Sequence, residues 1–147
     1  MKIKKFFLTK INLTISVILL FIFYSFILFF IINIQIKIVD LRVYAAALDI
    51  VKDIKYSRYL AIVKEEPIEF KIENNRYRLT YLTSKIDFVN IEPLFKNIKI
   101  KSNDNFLIKS DGTFSLKEKS GLITLESGKI KYSIILIEDG TTYIKKK

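Results

Sequence analysis

The sequence predicts an α+β chain: a long N-terminal helix, transmembrane in its first half, packed on a C-terminal antiparallel β-sheet. Three observations carry this. Residues 11–36 contain no charged side chain, and no Gly or Pro stands between Met1 and Pro67. All four glycines fall in the C-terminal half, among short runs of alternating polarity.

The apolar residues are unevenly spread, with seven of the 12 Phe in the first 36 of 147 residues. Residues 37–147 have ordinary polarity and suit one small domain. A core of that size can form without metals or bridges. With no Cys and no His, zinc fingers, disulfide scaffolds, thiol nucleophiles, His-based triads and axial haem histidines are excluded.

Residues 1–10 form a basic, leader-like tail carrying Lys2, Lys4, Lys5 and Lys10 without an acid. Residues 11–36 are the transmembrane helix. Within them Leu13–Ile32 is nearly all large and apolar, and about 20 residues at 1.5 Å each match a hydrocarbon core of roughly 30 Å. A buried core helix this apolar on every side needs a far larger protein to cover it. A cleaved signal sequence fits poorly, because such apolar regions run about 7–15 residues and end near small residues. The nearest small cluster, Ala45-Ala46-Ala47, lies beyond Lys37, Asp40 and Arg42. An uncleaved anchor is expected. The positive-inside rule then keeps the N-terminus cytoplasmic and puts residues 37–147 outside the inner (cytoplasmic) membrane.

Nothing punctuates the helix at the membrane surface, so it is expected to continue over 37–65. Leu48, Val51, Ile54, Ala61 and Ile62 recur at three- and four-residue steps, which predicts an apolar stripe that a later element must cover. Asp49–Asp53 is not a favourable pair, so local charge does not make this helix. Pro67 ends it. A continuous helix from Ile11 to Lys64 would be about 80 Å long.

Over 67–145 the period becomes two. Ile68, Phe70 and Ile72 alternate with Glu69, Lys71 and Glu73, and Tyr77, Leu79 and Tyr81 alternate with Arg76, Arg78 and Thr80. Asn74-Asn75 supplies a two-residue turn. That register sets Ile72 against Tyr77, Phe70 against Leu79 and Ile68 against Tyr81 on one face. Short strands follow at Ile98–Ile100, Phe106–Lys109, Leu122–Glu126, Ile130–Ile137 and Thr141–Ile144. Asp111-Gly112, Ser127-Gly128 and Asp139-Gly140 supply the turns between them.

This order resembles the FimT/GspH family of type IV minor pilins and type II secretion minor pseudopilins. The likeness rests on Leu48, Ile54, Arg58, Ala61 and Ile62 in the helix, then Tyr77 in a strand pair and Pro93-Leu94 before a short strand. Phe106–Gly112, Leu122–Leu125, Tyr132–Ile137 and Asp139-Gly140 complete it. The resemblance implies a pilin-like, single-pass subunit of a pilus or secretion filament, with the membrane, other pilin-like chains and an assembly platform as partners. It implies no cofactor and no small-molecule substrate. The family's processing motif is degenerate over Lys5-Phe6-Phe7-Leu8-Thr9-Lys10. Lys5 stands where the family has Gly, and Lys10 where it has Glu. The Glu is thought to neutralise a neighbour's amine in lipid, where an unpaired charge is costly; Lys10 cannot. A tip or initiating subunit, or an uncleaved relative, fits better than a major pilin.

Catalytic, cofactor-binding and metal-ligating residues are not assigned. Glu65-Glu66 point apart on a helix end and read as solvated acids. The scattered glycines read as turns rather than a phosphate loop. Arg58 reads as a residue that pairs with the sheet or lies over its apolar face. Lys145-Lys146-Lys147 close a region holding 21 basic and 15 acidic residues; they are the candidate DNA or phosphate contact, against a plain solvated tail. Three readings stay open: a structural minor subunit in protein secretion or pilus biogenesis, a DNA-binding minor pilin, and an anchored extracytoplasmic enzyme. Salt-dependent DNA binding favours the second, turnover the third, co-purification with other pilins the first.

Overall fold

The computed structural model describes residues 2–73, 76–91, 97–102, 105–117 and 120–147, with side chains of 2–12 and 88–91 outside the description. Among the described residues one helix, α1 (Lys2–Val63), precedes nine strands. The chain divides into two units, Met1–Ile38 and Val39–Lys147.

In the first unit, α1 shows large apolar side chains on all sides, from Leu13 to Ile38. Its few polar groups turn back on their own backbone: Ser25 Oγ donates to the Phe21 carbonyl and Asn33 Nδ2 to that of Phe29, each at 2.9 Å. Such bonds satisfy donors that lipid cannot.

In the second unit the buried helix stripe runs Val43, Ala47, Ile50, Ile54, Ser57, Ala61, flanked by Ala46 and Val51. Val51, Ile54 and Ala61 are buried as the expected stripe has them, and Leu48 and Ile62 are not. Leu48 is 45% and Ile62 48% exposed, because one residue of offset turns a side chain about 100° round the helix. Ala46 and Ala47 take the inward positions instead, where small side chains admit the sheets closely. The helix stops at Val63 with Glu65 left-handed at φ 53.

The strands form two antiparallel sheets rather than one. β1 (Ile68–Glu73), β2 (Arg76–Tyr81), β3 (Asp87–Ile91), β5 (Phe106–Ile108) and β6 (Phe114–Ser115) make the first, in the order β3-β2-β1-β5-β6. β4 (Lys99–Ser102), β7 (Ser120–Ser127), β8 (Ile130–Ile137) and β9 (Thr142–Lys146) make the second, in the order β4-β7-β8-β9. The division arises because β5 pairs with β1 while β4 pairs with β7. The β1–β2 register is the one the alternation predicts: Ile68 with Tyr81, Phe70 with Leu79, Ile72 with Tyr77. Asn74-Asn75 and Pro93-Leu94 lie outside the described residues. Ser127 pairs with Ile130, so the β7–β8 loop is Gly128-Lys129, one residue later than predicted. Gly128 takes φ 60 at its first position, which suits glycine in a two-residue hairpin.

Both sheets close over the helix stripe in one core. Phe70 stacks on Phe106 at 4.7 Å and on Tyr77 at 5.5 Å, and Phe114 meets Phe106 edge-on. Ile123, Leu125, Ile134 and Leu136 supply the second sheet's share.

Candidate assembly and anion-binding surfaces

The exposed apolar helix from Leu13 onward is the first candidate surface. It is the one helix among the described residues long and apolar enough to cross a membrane, and it fits a single pass. The backbone of Lys5, Phe6 and Lys10 lies in α1; their side chains lie outside the described residues.

The second candidate surface is the C-terminal lysine run, which the structure splits. Lys145 and Lys146 belong to β9 rather than to a tail. Lys146 Nζ reaches Asp40 Oδ2 at 2.6 Å, and the Tyr132 hydroxyl donates to Asp40 Oδ1 at 2.9 Å. The Lys146 ammonium also lies 5.6 Å from the Tyr132 ring centre. The hydrogen bond from Lys146 holds the Asp40 carboxyl below its usual range, and Asp40 in turn raises Lys146. Burial first, then Asp40, pushes the Tyr132 phenol up. Lys146 is therefore partly committed within the domain. Lys145, paired with Ser133 in the ladder, falls on the opposite face of β9.

Arg58 joins the helix to two turns. Its Nε donates to the Gly112 carbonyl at 2.7 Å and Nη1 to that of Gly140 at 2.6 Å. The guanidinium also lies 5.7 Å from the Phe114 ring centre. Gly140 has two reasons to be glycine: φ is 88, and a Cβ there would come within 2.3 Å of the guanidinium. This is the sheet contact expected of Arg58.

Other partners escape sequence reasoning. Tyr77 is buried and its hydroxyl donates to Asp53 Oδ2 at 2.5 Å. Burial drives the phenol pKa strongly upward, and Asp53 adds to it. Glu66 is not simply solvated. Its Oε1 accepts from the Thr83 and Ser84 amides at 3.0 and 2.8 Å, capping the turn after β2. An acid flanking the apolar stripe was the available signal for Asp53; Glu66 offered none locally.

An open depression of about 410 Å³ is lined by Lys109, Thr113, Phe114, Glu138 and Asp139, among others. Among the described residues, no three His, Cys, Asp or Glu side chains are grouped to hold a metal ion.

No protein-family model and no curated relative matches the sequence. The fold is similar to the type IV minor pilin FimU of Pseudomonas aeruginosa in two crystal forms. One gives a TM-score of 0.60 at 12% identity, covering 70% of this chain and 87% of that one. The other gives 0.57 at 12% identity, over 69% and 91%. The fold is thus pilin-like: a long N-terminal apolar helix packed on antiparallel sheets.

Proposed function

We propose that the chain is a membrane-anchored minor subunit of a type IV pilus or type II secretion pseudopilus, of the FimT/GspH kind, with a structural rather than catalytic role. The observation that carries this is α1 itself. One unbroken helix is apolar on all sides from Leu13 to Ile38 and buried along one stripe beyond it, with two antiparallel sheets on that stripe. The likeness to FimU supports the reading. In it, residues 1–10 stay cytoplasmic, 11–36 span the inner membrane, and 37–147 stand outside.

Lys5 and Lys10 set the subunit apart from a repeating one. Uncleaved, Lys10 lies at the cytoplasmic edge, where its stem reaches the headgroups. No partner amine then needs an acid. Intact-mass measurement on protein from native membranes should show the unprocessed N-terminus, and a mature start at Phe6 or Phe7 would contradict this. Site-specific crosslinking from Leu20 and Ile27 tests assembly. It should capture other pilin-like chains; a ladder of self-crosslinked oligomers alone would favour a major subunit.

A further inference from the structure

Charge is sorted by end within the Val39–Lys147 unit. Asp40, second residue of that unit, is held by Lys146 of β9 and Tyr132 of β8. These contacts mark the end at which the chain arrives from its apolar segment. Ile36 is four residues earlier, about 6 Å along a helix.

The ladder fixes what else lies at this end. Lys99 pairs with Glu126 and Glu126 with Lys131. The Lys147 amide bonds to the Lys131 carbonyl, and Gly128-Lys129 closes the same end. Lys99, Lys129, Lys131, Lys145, Lys146 and Lys147 thus gather against two acids. Both acids are occupied, Asp40 by Lys146 and Glu126 by Lys101 and Lys131. Arg58 marks the far end, where it holds the turns at Gly112 and Gly140. Glu65, Glu66, Asp111, Glu138 and Asp139 lie in or beside the elements there and are balanced by Arg58, Lys64, Lys85, Lys109 and Lys117.

We propose that the basic end of the second unit binds anionic phospholipid headgroups, holding the domain against the membrane its own helix crosses. The proposal rests on reading residues 11–36 as a membrane span. Chain connectivity keeps Asp40, and Lys146 bonded to it, within about a Debye length of the end of that span. The far end carries no such basic excess, so the charge difference orients the domain as well as attracting it. Lysine suits this role. It is a mobile point charge, whereas fixed phosphate recognition favours the arginine fork. Tyr132 is packed under Lys146 and against Tyr44, so its ring offers no stacking platform for a nucleic acid strand.

The chain lacks Cys, so one introduced thiol reports one place. Full-length protein carrying Ser127→Cys and an environment-sensitive dye is reconstituted into phosphatidylcholine vesicles, with or without phosphatidylglycerol. Emission should shift to the blue only with phosphatidylglycerol and return in high salt. The combined variant Lys129→Gln, Lys145→Gln, Lys147→Gln should lose most of the shift while keeping its thermal melting. A dye at Ser110→Cys, at the far end, should not respond. Flotation with pure phosphatidylcholine vesicles tests the anchor separately. If the chain floats but Ser127→Cys gives the same emission in both lipids, the headgroup proposal is overturned and the anchor stands. If it does not float, both fall. A dye that ignores the lipid but responds to duplex DNA, with the triple variant silent, overturns the proposal in favour of nucleic acid.

Discussion

The two parts of α1 have the same backbone and opposite side-chain logic. From Leu13 to Ile38 large apolar residues cover every side and almost nothing is buried within the chain. From Val39 the buried residues form one stripe through Val43, Ala47, Ile50, Ile54 and Ala61, and the other sides mix charged groups with exposed Leu41, Leu48, Tyr56, Tyr59 and Ile62. The first part needs an apolar solvent or neighbouring helices; the second is completed by its own sheets. Helix formation alone therefore says little about where a helix lives. The width of its apolar surface says most of it.

The largest expected effect separates the two parts. Ile54→Asp places an unpaired charge in the core and should lower stability by about 4 kcal/mol, read by thermal melting of the full chain in detergent. Leu20→Asp should leave that melting unchanged and weaken membrane retention instead, by about 3 kcal/mol of insertion free energy. Leu48→Asp sharpens the phase: on an exposed position it should change stability by no more than about 0.5 kcal/mol. A large loss there would restore the stripe expected from the sequence.

Removing the helix-to-turn link comes next. Arg58→Met deletes two charge-assisted hydrogen bonds to carbonyls 54 and 82 residues away, and should cost about 2 kcal/mol. Hydrogen exchange should speed up at the Gly112 and Gly140 turns, with the Met1–Ile38 unit unaffected. Tyr77→Phe, which unpairs Asp53, should cost about 1.5 kcal/mol. It should also flatten the alkaline limb of stability. Tyr77 has a raised native pKa, so its contribution is full below about pH 10 and declines above it.

The smallest effect is acid sensitivity. Asp40, held down by Lys146, Glu126 by Lys101, Glu66 by the Ser84 amide, and Asp111 and Asp139 by Thr113 and Thr141 all have lowered native pKa values. Their stabilisation is present above about pH 4 and is lost as pH falls through the lowered native values. Melting temperature should drop there, and less so for Asp40→Asn. All these carboxylates are solvent-accessible, so added salt should shrink the drop.

The membrane-length helix, its continuation to the Pro67 boundary and the β1–β2 register were legible in the sequence. Each depends on residues close together in the chain: charge absence, missing breakers, and period-two alternation on both sides of one turn. Tertiary structure decided the rest. β3 and β6 are strands through pairing with β2 and β5, and no strong alternation of their own announces them. The width of the buried stripe was set by which side chains admit two sheets, so Ala47 goes inward and Leu48 stays out. Lys146 found Asp40 across 106 residues, and Arg58 found two turns at the opposite end. Local sequence fixes the period of an element, because neighbours share its backbone. Only long-range packing fixes which residue meets which, because that depends on how the elements close on one another.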